Sequence, residues 1–239
     1  DRSEFYLSLF VASFIYRGGI ESLILTGCKI HSLPIFKKLF EMALGGRTKK
    51  LGLAYNNLSY EQMEVVCNWL LKYSSLIISL DLGYNNMNRM LTKIQRSSCG
   101  SNNLMTVKGG SVNLLISVFS RIHKERKQCG LQYLSLNCTE IHEESTTLNT
   151  EGEFVEASSL IYNLSKLSNL RFLDLSGNPR YFLYNIEIFC SFLTLFSKLT
   201  RLHLDYNGIG DLSMIAICDS LMSCKHMYYL SLLGNPLTL

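Results

Sequence analysis

Four kinds of signal are missing from these 239 residues, and each absence removes a class of function. The eight cysteines (Cys28, Cys67, Cys99, Cys129, Cys138, Cys190, Cys218, Cys224) contain no C-x-x-C pair, and no histidine stands at zinc-site spacing from them. The usual structural zinc modules are therefore excluded. The five histidines (His31, His123, His142, His203, His226) form no H-E-x-x-H, and neither G-x-S-x-G nor a Cys–His nucleophile signature occurs. We accordingly expect no enzyme, no catalytic residue, no cofactor and no metal. Long apolar runs are also missing. The longest, "FYLSLFVASFIY" (5–16), has twelve residues, which is too short to span a bilayer, and it lacks the basic start and small-residue cleavage site of a signal peptide. Finally, no aromatic lies between Tyr84 and Phe119, in the most basic part of the chain. A platform for stacking nucleic-acid bases is not expected there.

What is present is an apolar repeat. Hydrophobic residues make up 47% of the chain and charged residues 18%, enough for a continuous core and unlike a disordered segment. Seven segments follow L-x-x-L-x-L-x-x-N-x-L, with conservative departures. They are "IESLILTGCKI" from Ile20, "TKKLGLAYNNL" from Thr48, "IISLDLGYNNM" from Ile77, "LQYLSLNCTEI" from Leu131, "LRFLDLSGNPR" from Leu170, "LTRLHLDYNGI" from Leu199 and "MYYLSLLGNPL" from Met227. Successive starts are 28, 29, 54, 39, 29 and 28 residues apart. A recurring period of this size specifies a stacked solenoid, which stays one domain however long it grows.

Each repeat has a physical division of labour. Leucines two apart, such as Leu51 and Leu53, share one face of a short strand and supply the core. The ninth motif position carries Asn56, Asn85, Asn178, Asn207 and Asn235, whose amides can bond backbone groups within the turn and in the next repeat. Cys28 and Thr139 replace Asn in two repeats, so those turns should be held less completely. Between strands the period changes to about 3.6, which predicts helices over 61–74, 113–128, 186–199 and 212–227. Cys67, Cys190 and Cys218 fall in these apolar patterns and are expected to be buried, reduced thiols of a cytoplasmic or nuclear protein. The three N-x-S/T matches at Asn57, Asn137 and Asn163 are read as unglycosylated.

Two intervals break the period. The segment 88–112 reads as an inserted loop, and the stretch from Asn88 to Lys127 has eight Lys or Arg against one Glu. A second irregular segment near 140–152, continuing to Glu156, has six Glu and no Lys or Arg over 140–156. The reading is one domain over 1–239 with these two charged loops. The close on a strand motif suggests an excerpt of a longer chain.

Repeats of 28 to 29 residues with a full helix resemble the leucine-rich repeat family, and within it the ribonuclease-inhibitor-like subfamily. "LGLAYNNLSYEQMEVVCNWLLKY" (51–73) and "LHLDYNGIGDLSMIAICDSLMSC" (202–224) carry the resemblance best. It implies an α/β solenoid curved like a horseshoe, with parallel strands on the concave face and helices on the convex face.

The leucine register then selects which residues face outward. The third motif position gives Tyr133, Phe172, Arg201 and Tyr229, and the eighth gives Tyr55, Tyr84 and Tyr206. Tyr and Arg dominate interface hot spots, so these seven are the candidate residues for binding another protein, with the inserted loops as a second contact. The fifth position places Asp174 and His203 side by side, where a surface hydrogen bond is expected. The alternative function is regulation of an enzyme in trans, as a GTPase activator or a ubiquitin-ligase substrate receptor. Neither nucleic acid nor a membrane is the expected partner.

Overall fold

The computed structural model describes residues 19–87, 92–96, 102–106, 110–141 and 159–238, together with Leu9 and Ser13. Apart from Leu9 and Ser13, the apolar run 5–16 lies outside the described residues, as do residues 142–156 of the acidic segment. Seven three-residue strands form one parallel sheet: β1 (Ser22–Ile24), β2 (Lys50–Gly52), β3 (Ser79–Asp81), β6 (Tyr133–Ser135), β7 (Phe172–Asp174), β8 (Arg201–His203) and β9 (Tyr229–Ser231). The register is invariant. Leu23, Leu51, Leu80, Leu134, Leu173, Leu202 and Leu230 stand opposite one another across the whole sheet. The first six are buried, and with the second column of Leu25, Leu53, Leu82, Leu136, Leu175 and Leu204 they form the spine of the core. Burial of each such side chain contributes roughly 1.5–3 kcal/mol, which is why three-residue strands suffice.

Helices close the other layer: α1 (Leu33–Lys38, continued by a π-helical turn Leu39–Ala43), α2 (Tyr60–Tyr73), α3 (Ser111–Lys124), α4 (Leu160–Ser165), α5 (Pro179–Leu193) and α6 (Asp211–Leu221). The start of α2 is fixed by a capping box in which Ser59 and Gln62 exchange side-chain to backbone bonds. Gln62 Nε2 also donates to the Ile30 carbonyl at 2.6 Å, tying the helix to the preceding repeat.

Three expectations change. The helix predicted from 186 begins at Pro179, because Asn178 and Pro179 make a helix start directly after the strand. Its backbone leaves the helical region at Asn185 (φ −126°), one residue before the apolar periodicity becomes readable. The inserted segment 88–112 is not simply a loop. Its described residues form an antiparallel ribbon, β4 (Thr92–Arg96) with β5 (Asn102–Thr106), and Ser111 and Val112 already belong to α3. The insertion leaves the main sheet uninterrupted, since β3 pairs directly with β6. Cys67 and Cys190 are buried as expected, but Cys218 is exposed, because α6 sends Ile217 inward and turns its neighbour to solvent.

Candidate functional site

The outward side chains of the sheet sort into four groups. The largest is a ladder of rings over β6, β7, β8 and β9. Tyr133 stacks on Phe172 with centroids 4.2 Å apart and planes 11° from parallel. Phe172 meets His203 at 4.9 Å, and His203 stacks on Tyr229 at 5.1 Å. The strand register explains most of this, because Tyr133, Phe172, Arg201 and Tyr229 are direct cross-strand partners. On β8 the ring comes from His203, two residues further along the same face. Arg201 turns aside instead, donating from Nε to the Tyr228 hydroxyl at 3.1 Å with its guanidinium 5.6 Å from that ring's centroid.

Sequence reasoning named Tyr133, Phe172 and Tyr229 but missed His203 and Tyr228 as their neighbours. The signal was available in the alternation of β8, which puts His203 between two aromatic strands. The expected hydrogen bond between Asp174 and His203 does not form. Asp174 Oδ1 accepts from Ser176 N at 2.9 Å, while the His203 ring packs on Phe172 and Tyr229. Burial, and then the nearby Asp81 and Asp174 carboxylates, raise the Tyr133 phenol above its ordinary pKa. Its hydroxyl stays protonated and able to donate. The Tyr228 phenol moves the other way, lowered chiefly by its hydrogen bond from Arg201.

The second group is the stacked pair Tyr55–Tyr84, 3.8 Å apart and 13° from parallel. The neighbouring Tyr55 side chain, followed by the Cys138 thiol, pushes the Tyr84 phenol well above its usual range. Tyr206 is a third, separate feature, 60% exposed and lying over Gly234. Cys138 and Gly177 occupy the two rim positions between it and Tyr84. Arg201 with Tyr228 completes the set. The seven predicted residues thus share a face and its rim without forming one continuous patch.

The rim position has a property its sequence hides. In all seven repeats the eighth residue adopts a left-handed backbone: Gly27, Tyr55, Tyr84, Cys138, Gly177, Tyr206 and Gly234 have φ between 50° and 69°. In the first six repeats its N–H donates to the seventh-position carbonyl of the next repeat. Examples are Tyr55 N to Gly83 O at 3.0 Å, Tyr84 N to Asn137 O at 2.7 Å and Tyr206 N to Leu233 O at 2.8 Å. For a residue with a Cβ the left-handed region costs roughly 1–2 kcal/mol. Glycine avoids that cost, and three repeats use it. Three others hold an exposed tyrosine at a strained position, a pattern that points to function rather than folding.

The asparagine column holds the rim in place, though it reaches backward rather than forward. Asn178 Nδ2 donates to the Leu175 and Ser176 carbonyls of its own turn and to Leu136 of the preceding repeat, and its Oδ1 accepts from Thr139 N and Ile141 N. Asn85 does the same for Leu53, Asn56 and Leu58. The main-chain N–H groups of Asn56, Asn178 and Asn207 are in turn taken by the following Asn, as in Asn178 N to Asn207 Oδ1 at 2.6 Å. Thr139 Oγ1 closes its own turn onto Leu136 O at 2.7 Å and reaches Asn178 Oδ1 of the next repeat at 3.4 Å, but it bonds no backbone group of the preceding repeat. Cys28 is exposed, with its thiol 3.8 Å from Thr26 O.

Comparison with known proteins places this geometry. Residues 1–235, nearly the whole chain, match a family described as the MHP1/HER1/GIP3 leucine-rich repeat domain. The chain belongs to the MHP1/HER1/GIP3 leucine-rich repeat domain family. Among relatives of this domain, MAP-homologous protein 1 of Saccharomyces cerevisiae is 31% identical over 241 residues, covering 100% of this chain and 15% of that protein. HMG2-induced ER-remodeling protein 1 of the same yeast is 23% identical over 221 residues, covering 90% of this chain and 15% of that protein. The chain therefore spans about one seventh of the length of the curated relatives it matches. Within the domain, no group of three or more His, Cys, Asp or Glu among the described residues could hold a metal ion. No described helix is long and apolar enough to cross a membrane.

Proposed function

We propose that this leucine-rich repeat domain binds an extended segment of a partner protein across its concave sheet, with the ring ladder as the anchor. One observation carries the reading. Tyr133, Phe172, His203 and Tyr229 bridge four adjacent strands and remain partly open, although the same stacking could have been buried. Rigid rings of this kind give contact area at low entropic cost and dominate interface energetics. The strained rim tyrosines Tyr55, Tyr84 and Tyr206 support the same face, as does membership of a repeat family whose exposed sheet suits protein contacts. Several repeats in register can supply the roughly 800 Å² per partner of a standard interface. The 28- and 29-residue intervals with full helices support the ribonuclease-inhibitor-like class of repeat. The buried free thiols Cys67, Cys129 and Cys190 support a reducing, cytoplasmic or nuclear setting.

The test begins with a photo-crosslinking amino acid at position 172 in the full-length protein in its own cells, which identifies what lies on the sheet. Affinity for that protein is then measured with Phe172→Ala/Tyr229→Ala. Loss of two anchors at about 2 kcal/mol or more together predicts at least a thirtyfold weaker complex, with the unfolding midpoint nearly retained. A crosslinked partner that binds the double variant as tightly as the parent refutes the concave-face reading.

A further inference from the structure

The topology puts every helix C-terminus and every loop leading into a strand on one edge of the solenoid. Strand ends and helix N-termini lie on the other edge. Sorting the charges by edge separates them. The strand-start edge, residues 19–22, 37–50, 72–79, 121–133, 165–172, 194–201 and 222–229, holds fifteen lysines and arginines against Glu21, Glu41 and Glu125. The strand-end edge of the repeats, residues 24–35, 52–63, 81–87, 135–141, 174–181 and 203–213, holds six carboxylates against Lys29 and Arg180, and the ribbon inserted on that side adds Lys93 and Arg96.

The helix dipole accounts for part of the basic edge. Lys37, Lys38, Lys72, Arg121 and Lys124 sit in the last turns of α1, α2 and α3, where a cation is favoured. That effect fades within one turn; Lys166 stands at the C-cap of α4, and the other nine follow in the loops and strand starts. Internal carboxylates neutralise few of them. Lys49 pairs with Glu21 at 2.9 Å, and Glu125 is shared by Lys127 at 2.7 Å and Arg121 at 3.3 Å. Other cations are held by neutral groups: Lys166 lies 4.6 Å from the centre of the Tyr162 ring, and Lys198 bonds Asn169 Oδ1 at 3.2 Å. At the middle of the edge, between the α3–β6 and α4–β7 loops, an open cavity of about 260 Å³ is lined by His123, Arg126, Lys127, Lys166 and Ser168.

We propose that the strand-start edge is a second docking surface, for a Glu- and Asp-rich segment of a partner protein. Like charges gathered on one edge repel one another and add no stability to the fold, and the arrangement becomes favourable when an acidic chain lies across it. The cations are positioned by Glu125, Tyr162, Asn169 and Tyr228, which suits a partner of fixed geometry better than a fluid lipid surface. Among the described residues, neither Phe nor Trp is exposed on this edge to enter a bilayer, and Tyr228 and Tyr229 at its far end are its exposed aromatics, too few to stack successive bases. The surface meets the concave sheet at the strand starts, where Tyr133, Phe172, Arg201 and Tyr229 belong to both, but its binding groups are the loop cations, so its success or failure leaves the concave reading standing.

The experiment measures binding of a labelled poly-glutamate peptide to the whole protein as salt is raised. We expect affinity to fall at least tenfold as ionic strength rises from about 0.05 to 0.2 M, as screening of exposed charges requires. Arg126→Glu/Lys127→Glu/Lys166→Glu should weaken binding at least tenfold, and the corresponding glutamine triple should weaken it less. Lys29→Glu/Arg180→Glu on the opposite edge should stay within twofold. Circular dichroism of each variant confirms folding, and if the glutamate triple is unfolded the glutamine triple decides. The proposal is overturned by salt-insensitive binding, by equal losses from either edge, or by tighter binding to phosphatidylserine vesicles or duplex RNA that depends on the same three residues.

Discussion

Replacing Asn178 with alanine gives the sharpest test of how the repeats are joined. Its side chain is buried and makes five backbone contacts, three through Nδ2 at 2.9–3.1 Å and two through Oδ1 at 3.1 and 3.2 Å. The carbonyls are partly insured, since Leu136 O also accepts from Thr139 Oγ1 and Leu175 O also accepts from Asn207 Nδ2. The Thr139 and Ile141 amides lose the acceptor they share inside the slab. A buried, orphaned group costs about 1–3 kcal/mol, so Asn178→Ala should destabilise by about 4 kcal/mol. Thr139→Val is the internal reference. It removes one own-turn bond while Asn178 Nδ2 still serves Leu136 O, and it should cost about 1 kcal/mol. Urea unfolding followed by circular dichroism gives the two losses from midpoint and slope, and hydrogen exchange should show the Thr139 and Ile141 amides opening in the Asn178 variant. Equal destabilisation by the two variants, within about 0.5 kcal/mol, would refute the view that asparagine holds backbone groups of the preceding repeat where threonine holds only a carbonyl of its own turn.

The remaining expectations concern the rim, the glycines and the thiols. Tyr84→Gly relieves a left-handed residue by about 1 kcal/mol and forfeits a stacked ring worth about 0.5–1.5 kcal/mol. Its stability should therefore remain within about 1 kcal/mol of the parent, while affinity for a concave-face partner drops; a large loss of stability would show that the tyrosine serves the fold. Gly177→Ala should cost more than Gly27→Ala in urea titrations, because both have φ near 68° but only at Gly177 would the added methyl collide, with Cys138 Sγ. Alkylation with iodoacetamide should modify Cys28 and Cys218 quickly and leave Cys67 until unfolding, since burial pushes the Cys67 thiol up to about 12 from an ordinary 9. A raised thiol pKa contributes stability that is complete below the unfolded value near 9 and is lost as pH climbs toward 12. Unfolding midpoints should consequently fall above pH 9 in the parent and fall less in Cys67→Ala.

The architecture was legible because a repeat multiplies its evidence. Any one of the seven motifs is ambiguous between a hairpin and a repeat strand, yet the 28- and 29-residue spacing forces the leucines at 23, 51, 80, 134, 173, 202 and 230 into one column, as the register shows. The helix at 179–193 was only half legible. Its first seven residues lie between a proline that starts a helix without an apolar stripe and Asn185, where the backbone departs from helical geometry. The ribbon formed by 92–96 and 102–106 was not legible, since "TKIQR" and "NNLMT" are largely polar and carry no apolar alternation to mark a strand.

For the candidate site, the sequence by itself determined which side chains leave the core, because alternation along a three-residue strand is a local property. Tertiary structure decided which of them meet. The inward step from Arg201 to His203, the pairing of Arg201 with Tyr228 and the separation of Tyr206 from the Tyr55–Tyr84 pair depend on side-chain directions between repeats. The bonding of the left-handed rim is likewise a tertiary result, since the eighth residue of each of the first six repeats donates to a carbonyl that only the next repeat supplies. The division of charge between two edges follows the same rule. Composition shows a chain of net charge +4, and only the common direction of the helices gathers fifteen lysines and arginines on the strand-start side.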